Sequence, residues 1–193
     1  MSVFKIIFNK EFKLLIWEIK ESLEDLEKIA PEIKLENKKS TKRNIEFIVP
    51  RILLKYLSKN LRISYNYLGA PTLNNNENIS ISHTKEFVAI IISKKSVGID
   101  IEKVSSKAKN LSTKFINKEQ RKNLNNEKAT LIWSLKEAIF KSCLAKGVNF
   151  VKDITFSDFD ISQNGKIKGE FKGEKIMANY EKIFNHYLVY VCK

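Results

Sequence analysis

The stretch from residue 62 to residue 102 constrains the fold most, because four strand-like segments follow one another there with only polar turns between them. Each segment is short and rich in β-branched or aromatic residues, which is the pattern of strands in a sheet. The segments are Ile63–Tyr67, Ile79–Ser82, Phe87–Ser93 and Ser96–Glu102. This part of the chain therefore predicts four short strands that are separated by polar turns.

Helices are expected before these strands. A short strand at residues 3–8 precedes a helical stretch that reaches Ile29, before Pro31. Residues 45–57 then place apolar side chains at helical spacing, so one face of that helix is buried. Pro50 lies within it and lacks a backbone donor, which predicts a kink or a late helix start. Residues 34–43 form a basic, polar link between the two helical stretches.

The second half of the chain opens with Asn117 and Gln120, which have the spacing of a helix-capping box. A longer helix is expected from Glu127 to Lys146, with Gly147 as its stop. Strands then complete the chain. They are Ile154–Asp160, Lys166–Phe171, Glu174–Tyr180 and Tyr187–Cys192.

Charge and cysteine content narrow the class of protein. The net charge of +13, from 35 basic and 22 acidic residues, favours phosphates, nucleic acid or acidic proteins as ligands, although a generally lysine-rich composition explains it equally well. Cys143 and Cys192 form neither a disulfide framework nor a metal-ligand spacing, so a reducing cytoplasm is expected. The sequence has no signal-peptide pattern and no apolar run long enough to span a membrane, so no membrane association is expected.

Two acids lie two positions apart in the segment Gly98–Glu102. On a strand, Asp100 and Glu102 point to the same face. Neighbouring carboxylates repel each other unless a cation lies between them, and hard oxygen ligands suit Mg²⁺. The alternative is an exposed strand face on which Lys103 is a salt partner.

Trp133, Glu137 and Lys141 follow one another at spacing i, i+4 on the predicted long helix. They therefore line one helix face. An acid and a base at this spacing usually form an ordinary surface salt bridge. The tryptophan on the same stripe makes a fully solvated face a poorer explanation.

His83 ends a predicted strand beside hydroxyl groups, Ser82 among them, that could bind an anion. A turn histidine bonded to its own loop is the more common arrangement. His186 lies in the last strand region without a partner motif and is interpreted as structural. The sequence contains no phosphate-binding glycine loop and no nucleophile elbow, so an enzyme of this sequence would take its nucleophile from elsewhere.

As an ordered set, these motifs resemble the 4′-phosphopantetheinyl transferases of the surfactin-synthetase-activating type. The likeness covers residues 43–192. The matching segments are Gly69–Pro71, Ile81–His83, Gly98–Glu102, Phe115–Gln120, Trp133–Glu137 with Lys141, and Lys146–Gly147.

The resemblance implies an α+β fold of two similar α/β halves in a pseudo-twofold arrangement, with mostly antiparallel sheets packed against helices. The halves would be residues 1–95 and 96–193, with coenzyme A in the cleft between them. It further implies an enzyme that transfers the 4′-phosphopantetheine arm of coenzyme A to a serine of an acyl or peptidyl carrier protein. The enzyme would be a monomer that binds no nucleic acid.

The resemblance also implies roles for single residues. The ligands of Mg²⁺ would be Asp100, Glu102 and Glu137. Lys141 resembles the catalytic lysine that contacts the coenzyme A phosphates. A separate hypothesis from the chemistry makes Glu137 catalytic as well, because it would take the serine proton directly or through a bound water. The N-terminal half would contribute the remaining coenzyme A contacts, which are Arg43, Ser82 and His83.

Two positions depart from the family pattern. Ala70 stands where the family usually has lysine, so one basic contact to coenzyme A is missing or is supplied by Lys85 or another lysine. Gln120 stands where the family often has glutamate, which is a mild change. Two other functions stay open: a basic, metal-dependent nucleic-acid enzyme or binder, and an inactive coenzyme A binding homologue.

Overall fold

The computed structural model describes residues 3–35, 40–122 and 124–193. The chain divides into two compact units, Met1–Lys94 and Lys95–Lys193. All strand pairings among the described residues are antiparallel, and helices accompany the sheets, so the predicted α+β class is confirmed. The predicted link at residues 34–43 includes residues 36–39, which lie outside the described part of the chain.

The elements of the N-terminal unit are, in chain order, β1 (Val3–Phe8), β2 (Lys13–Glu18), α1 (Leu23–Ile29), α2 (Thr41–Leu57), β3 (Ile63–Tyr65), β4 (Pro71–Leu73), β5 (Asn78–His83) and β6 (Phe87–Ser93). The unit contains a four-stranded sheet in the order β1-β2-β6-β5 and a separate hairpin of β3 and β4. Its core packs the inner face of the sheet against α2.

The sequence predicts one helical stretch between β1 and Ile29. That prediction is wrong for the first part, which forms β2, and correct for the second part, which forms α1. Leu14, Leu15, Ile16 and Trp17 are all fully buried in β2, which pairs with β1 on one side and β6 on the other. A strand that is buried on both faces loses its apolar-polar alternation, and its sequence then resembles a buried helix. The helical part begins only after Ser22, which forms a capping box.

Pro50 lies buried within α2, and the helix begins at Thr41, so the predicted late start is wrong. Ser40 caps this helix by accepting a hydrogen bond from the Arg43 N–H. The buried face of α2, which includes Ile52 and Leu53, packs into the core of the unit. This burial outweighs the one backbone donor that proline lacks.

The elements of the C-terminal unit are, in chain order, β7 (Val97–Lys103), α3 (Ser106–Asn110), α4 (Asn126–Cys143), β8 (Ile154–Phe156), β9 (Asn164–Phe171), β10 (Glu174–Ile183) and β11 (His186–Cys192). The unit contains a five-stranded sheet in the order β7-β11-β10-β9-β8, with α4 packed across it. Its core joins apolar residues of α4 to the inner faces of β9, β10 and β11.

The predicted start of α4 at Glu127 is confirmed to within one residue, since the helix begins at Asn126, whereas its end differs from the prediction. The Gln120 N–H does bond to the Asn117 side chain, at 2.8 Å, but the bond closes a turn and the helix starts later, after an Asn125 cap. At the other end the helix stops at Cys143, where Leu144 adopts a left-handed backbone with φ 48°. The helix therefore ends three residues before Lys146, the last residue of the predicted helix.

Candidate active site

β7 turns the face that carries both of its acids towards α4. Gly98, Asp100 and Glu102 alternate along the strand with two fully buried isoleucines. A Cβ atom added to Gly98 would lie 1.9 Å from the backbone oxygen of Ala138, so α4 lies directly over this face. Asp100 is only 4% exposed. The alternative of an open, solvated strand face is therefore wrong for Asp100.

The stripe of Trp133, Glu137 and Lys141 on α4 faces these acids. The Trp133 Nε1–H donates to Glu102 Oε1 at 3.3 Å, and Lys141 Nζ donates to Asp100 Oδ1 at 2.8 Å. Glu137 lies one turn from each of its stripe neighbours. The structure thus brings together the five residues that the two motifs singled out in this unit.

Burial and neighbouring charges raise the pKa values of the two glutamates in this cluster. Burial and, after it, the negative charges of Asp100 and Glu102 raise the pKa of Glu137 to about 7, although Lys141 offsets part of the rise. The pKa of Glu102 is also raised, first by burial and then by Asp100. The acids therefore share one electrostatic environment that disfavours three negative charges.

The donor set suits Mg²⁺ in its chemistry. Within residues 3–35, 40–122 and 124–193, no three His, Cys, Asp or Glu side chains are already gathered as a metal site. However, Asp100, Glu102 and Glu137 supply hard oxygen donors, and a divalent cation would offset the repulsion that raises two of their pKa values. The residues present therefore fit this ion, although their side chains are not arranged around one.

In the N-terminal unit, β5 and the first turns of α2 lie together. His83 Nδ1 is 3.1 Å from Glu46 Oε1, and the same carboxylate oxygen is 3.6 Å from Lys42 Nζ. Arg43 is exposed one turn before Glu46, while Ser82 is buried on β5. Glu46 was missed from the sequence, although its i, i+4 spacing from Lys42 was visible.

The turn at Ala70 is held by its own side chains. Asn66 Oδ1 accepts hydrogen bonds from the N–H groups of Leu68 and Ala70, and Gly69 takes a φ of +76° that favours glycine. Pro71 then opens β4. The hydrogen bonds of this turn hold the backbone of residue 70 in place, so a longer side chain there would start from a fixed Cα position.

Lys136 is a buried cation that sequence reasoning missed. It is 1% exposed, and its Nζ donates to the backbone oxygens of Phe150 at 2.5 Å and Ile154 at 2.6 Å. Burial lowers the pKa of this lysine to about 8. The sequence feature that could have revealed this residue is a lysine among the apolar residues of the buried face of α4. Lys136 anchors the segment after the helix onto the helix itself.

Glu127 fixes the other end of α4, and it too was missed. Its Oε1 accepts a hydrogen bond from the Tyr187 hydroxyl at 2.6 Å and also pairs with Lys182 Nζ. These contacts lower the pKa of Glu127, that with Lys182 most strongly. The helix that presents Glu137 is therefore tied to the sheet at its start.

Carboxylates that could hold Mg²⁺, together with a lysine beside them, are groups that can stabilise the charge on a phosphoryl group. The model of the 4′-phosphopantetheinyl transferase superfamily matches residues 96–192, which include β7, α4 and the whole five-stranded sheet. The chain belongs to the 4′-phosphopantetheinyl transferase superfamily. No curated protein matches it.

Family membership confirms the coarser part of the predicted function. The chain is a transferase of the holo-carrier-synthase kind, with coenzyme A as substrate and a carrier protein as partner. The narrower surfactin-synthetase-activating type stays a prediction. Among the described residues, no helix has the length and apolar character needed to cross a membrane.

Proposed function

We propose that this chain moves the 4′-phosphopantetheine arm of coenzyme A to a serine hydroxyl of an apo acyl or peptidyl carrier protein and releases 3′,5′-ADP. This is the activity of the surfactin-synthetase-activating type. The observation that carries the proposal is the coupling of Asp100, Glu102 and Glu137 beside Lys141. We further propose that the protein acts as a cytoplasmic monomer, with coenzyme A contacts on residues 1–95 and the metal site on residues 96–193.

Asp100, Glu102 and Glu137 are the residues that would hold Mg²⁺. The bound ion would spread the negative charge that develops on the phosphoryl oxygens during transfer. Lys141 already places one positive charge against Asp100. This ammonium lies on the same stripe as Glu137, so it can also contact the diphosphate of coenzyme A and stabilise the 5′-phosphate of 3′,5′-ADP as that group leaves.

The chemistry proposed for Glu137 is proton removal. The serine oxygen bonds to the β-phosphorus of coenzyme A, the bond from that phosphorus to the 3′,5′-ADP oxygen breaks, and the serine proton passes to the Glu137 carboxylate. A base works best when its pKa is near the working pH. Without a cation, burial and then the charge of Asp100 raise the pKa of Glu137 to about 7, and a bound Mg²⁺ would lower it and favour the carboxylate form that accepts the proton.

The coenzyme A contacts in the N-terminal unit are Arg43, Ser82 and His83. Arg43 and His83 would meet the 3′-phosphate, and Ser82 adds a hydroxyl beside His83. The pairing of His83 with Glu46 supports this placement, since it joins the end of β5 to the helix on which Arg43 lies. A net charge of +13 would also attract coenzyme A and acidic carrier proteins.

Asp100→Ala and Glu137→Ala are each expected to abolish transfer while the protein still folds. The assay incubates the protein with apo carrier protein, coenzyme A and Mg²⁺, and mass spectrometry detects a pantetheine-sized gain. Glu170→Gln, an exposed acid on β9, is the control and should stay active. Full activity of Asp100→Ala or Glu137→Ala would remove that residue from the site. No gain with any carrier, or tight oligonucleotide binding without coenzyme A binding, would contradict the proposed function.

Ala70→Lys is expected to lower the KM for coenzyme A by about threefold to tenfold, because a lysine at this fixed turn restores a charge-assisted contact to phosphate. Transfer rates are measured against coenzyme A concentration at saturating carrier protein. Ala70→Gln adds a similar length without charge and is the matched control. An equal effect of both variants would show that the charge is not responsible.

A further inference from the structure

Trp133 makes one directed polar contact, and it is with a carboxylate of the proposed metal site. The indole Nε1–H donates to Glu102 Oε1 at 3.3 Å, from α4 to β7. An indole has one N–H donor and no acceptor, so this side chain has a single way to satisfy its polar atom. The contact therefore constrains Glu102 from outside the ligand set.

The indole ring is held in place by aromatic neighbours. Phe115 contacts it edge-on with 5.0 Å between ring centroids, and Phe150 lies against it at 5.9 Å. Phe115 is itself 1% exposed. A ring packed between two others cannot change rotamer without moving them, so the direction of its N–H is fixed.

One of those neighbours is fixed by α4 itself. Lys136 Nζ donates to the Phe150 backbone oxygen, and the Phe150 ring also contacts Phe140 at 5.4 Å. A buried lysine on the helix thus secures the segment that packs against Trp133. The contacts from Lys136 through Phe150 and Trp133 end at the carboxylate of Glu102.

We propose that Trp133 is a positioning residue that orients Glu102 for divalent-cation binding. The inference rests on the proposed metal site. By holding Oε1, the indole limits the rotation of the carboxylate and directs Oε2 away from itself. Groups that orient metal ligands in this way typically change metal affinity by about 10- to 100-fold when they are removed.

Trp133→Phe removes the N–H and keeps an aromatic ring. We expect Mg²⁺ to bind this variant about 10- to 100-fold more weakly, as measured by calorimetry without substrate. At saturating Mg²⁺ the kcat should recover, whereas a purely structural defect would persist at every Mg²⁺ concentration. Wild-type Mg²⁺ affinity in Trp133→Phe would overturn the inference.

The chain offers a matched control. Trp17 also donates to a carboxylate, Glu21 Oε2 at 3.1 Å, but in the N-terminal unit. Trp17→Phe should therefore bind Mg²⁺ as tightly as the wild type. An equal loss of affinity in both tryptophan variants would attribute the effect to general destabilisation and overturn the inference.

Trp17→Phe also gives a direct reporter, because the sequence contains only two tryptophans. In this variant the fluorescence of Trp133 should change saturably as Mg²⁺ is added, and the added substitution Glu102→Gln should abolish the change. This measurement holds even if Trp133→Phe fails to fold. If the fluorescence spectrum stays unchanged while calorimetry detects Mg²⁺ binding, the positioning role is overturned. A wild-type protein that transfers no phosphopantetheine would contradict the proposed function instead.

Discussion

Glu137→Gln is expected to abolish transfer and to make the protein more stable at pH 8. The carboxylate of Glu137 is buried beside Asp100 and Glu102, so its negative charge is unfavourable in the folded protein, although Lys141 offsets part of this. A glutamine keeps the shape and removes the charge. Gains in stability on loss of a functional group are common where a site concentrates like charges.

The sign of the pH dependence follows from the raised pKa. Below pH 4.5 Glu137 is protonated in the folded and the unfolded chain and has no effect. As the pH rises from about 4.5 to about 7, the unfolded chain releases this proton first, so stability falls. Above pH 7 the full loss of unfolding free energy due to Glu137, roughly 3 kcal/mol, is present. Glu102 contributes in the same direction.

Thermal unfolding of the wild type, Glu137→Gln and the exposed-acid control Glu170→Gln, from pH 5 to pH 8, checks this prediction. The wild type and the control should lose stability over the range, and Glu137→Gln should lose clearly less. Adding Mg²⁺ at pH 8 should restore most of the wild-type loss, since a cation offsets the buried charge. A wild type whose stability does not change with pH would refute the prediction.

Gly98→Ala is expected to cost several kcal/mol and to leave the C-terminal unit without its native packing. The added methyl group would lie 1.9 Å from the Ala138 backbone oxygen and 2.8 Å from the Ser142 backbone nitrogen. Both atoms belong to the backbone of α4, so no side-chain rotation relieves the clash. The helix would have to move away from β7, and the stripe that meets Asp100 would move with it.

Gly169→Ala is the matched control, because that glycine also lies in a strand and its methyl group would also meet α4. There the close atom is Ile139 Cδ1 at 2.7 Å, the end of a flexible side chain. Its expected cost is about 1 to 2 kcal/mol, with transfer retained. Urea unfolding and near-ultraviolet circular dichroism compare the two variants. Equal losses would show that the contact between α4 and β7 is not specially close.

Local spacing made much of the site predictable. The i, i+2 pair Asp100 and Glu102 and the i, i+4 stripe of Trp133, Glu137 and Lys141 each specify a face once the element type is known. The spacing could not show that the two faces meet, nor that Asp100 is buried. Those facts depend on the packing of α4 on β7, which involves residues far apart in sequence.

The incorrect secondary-structure predictions share one cause. β2 was predicted as helix because burial on both faces removed its alternation, and Gly147 was predicted as a helix stop although packing ends α4 at Cys143. In each case tertiary contacts overrode a local preference. Lys136 escaped notice for the same reason, since only the fold shows which backbone oxygens surround its ammonium.

The pairing of β7 with β11 has a consequence for the way the protein is made. Asp100 faces Val189 across this pair, so roughly ninety residues must be synthesised before the strand with the two acids meets its neighbour. Contacts so distant in sequence form slowly and close a large loop. Because β11 is the only strand paired with β7 among the described residues of this sheet, both edges of β7 are open to unwanted pairing until β11 is synthesised.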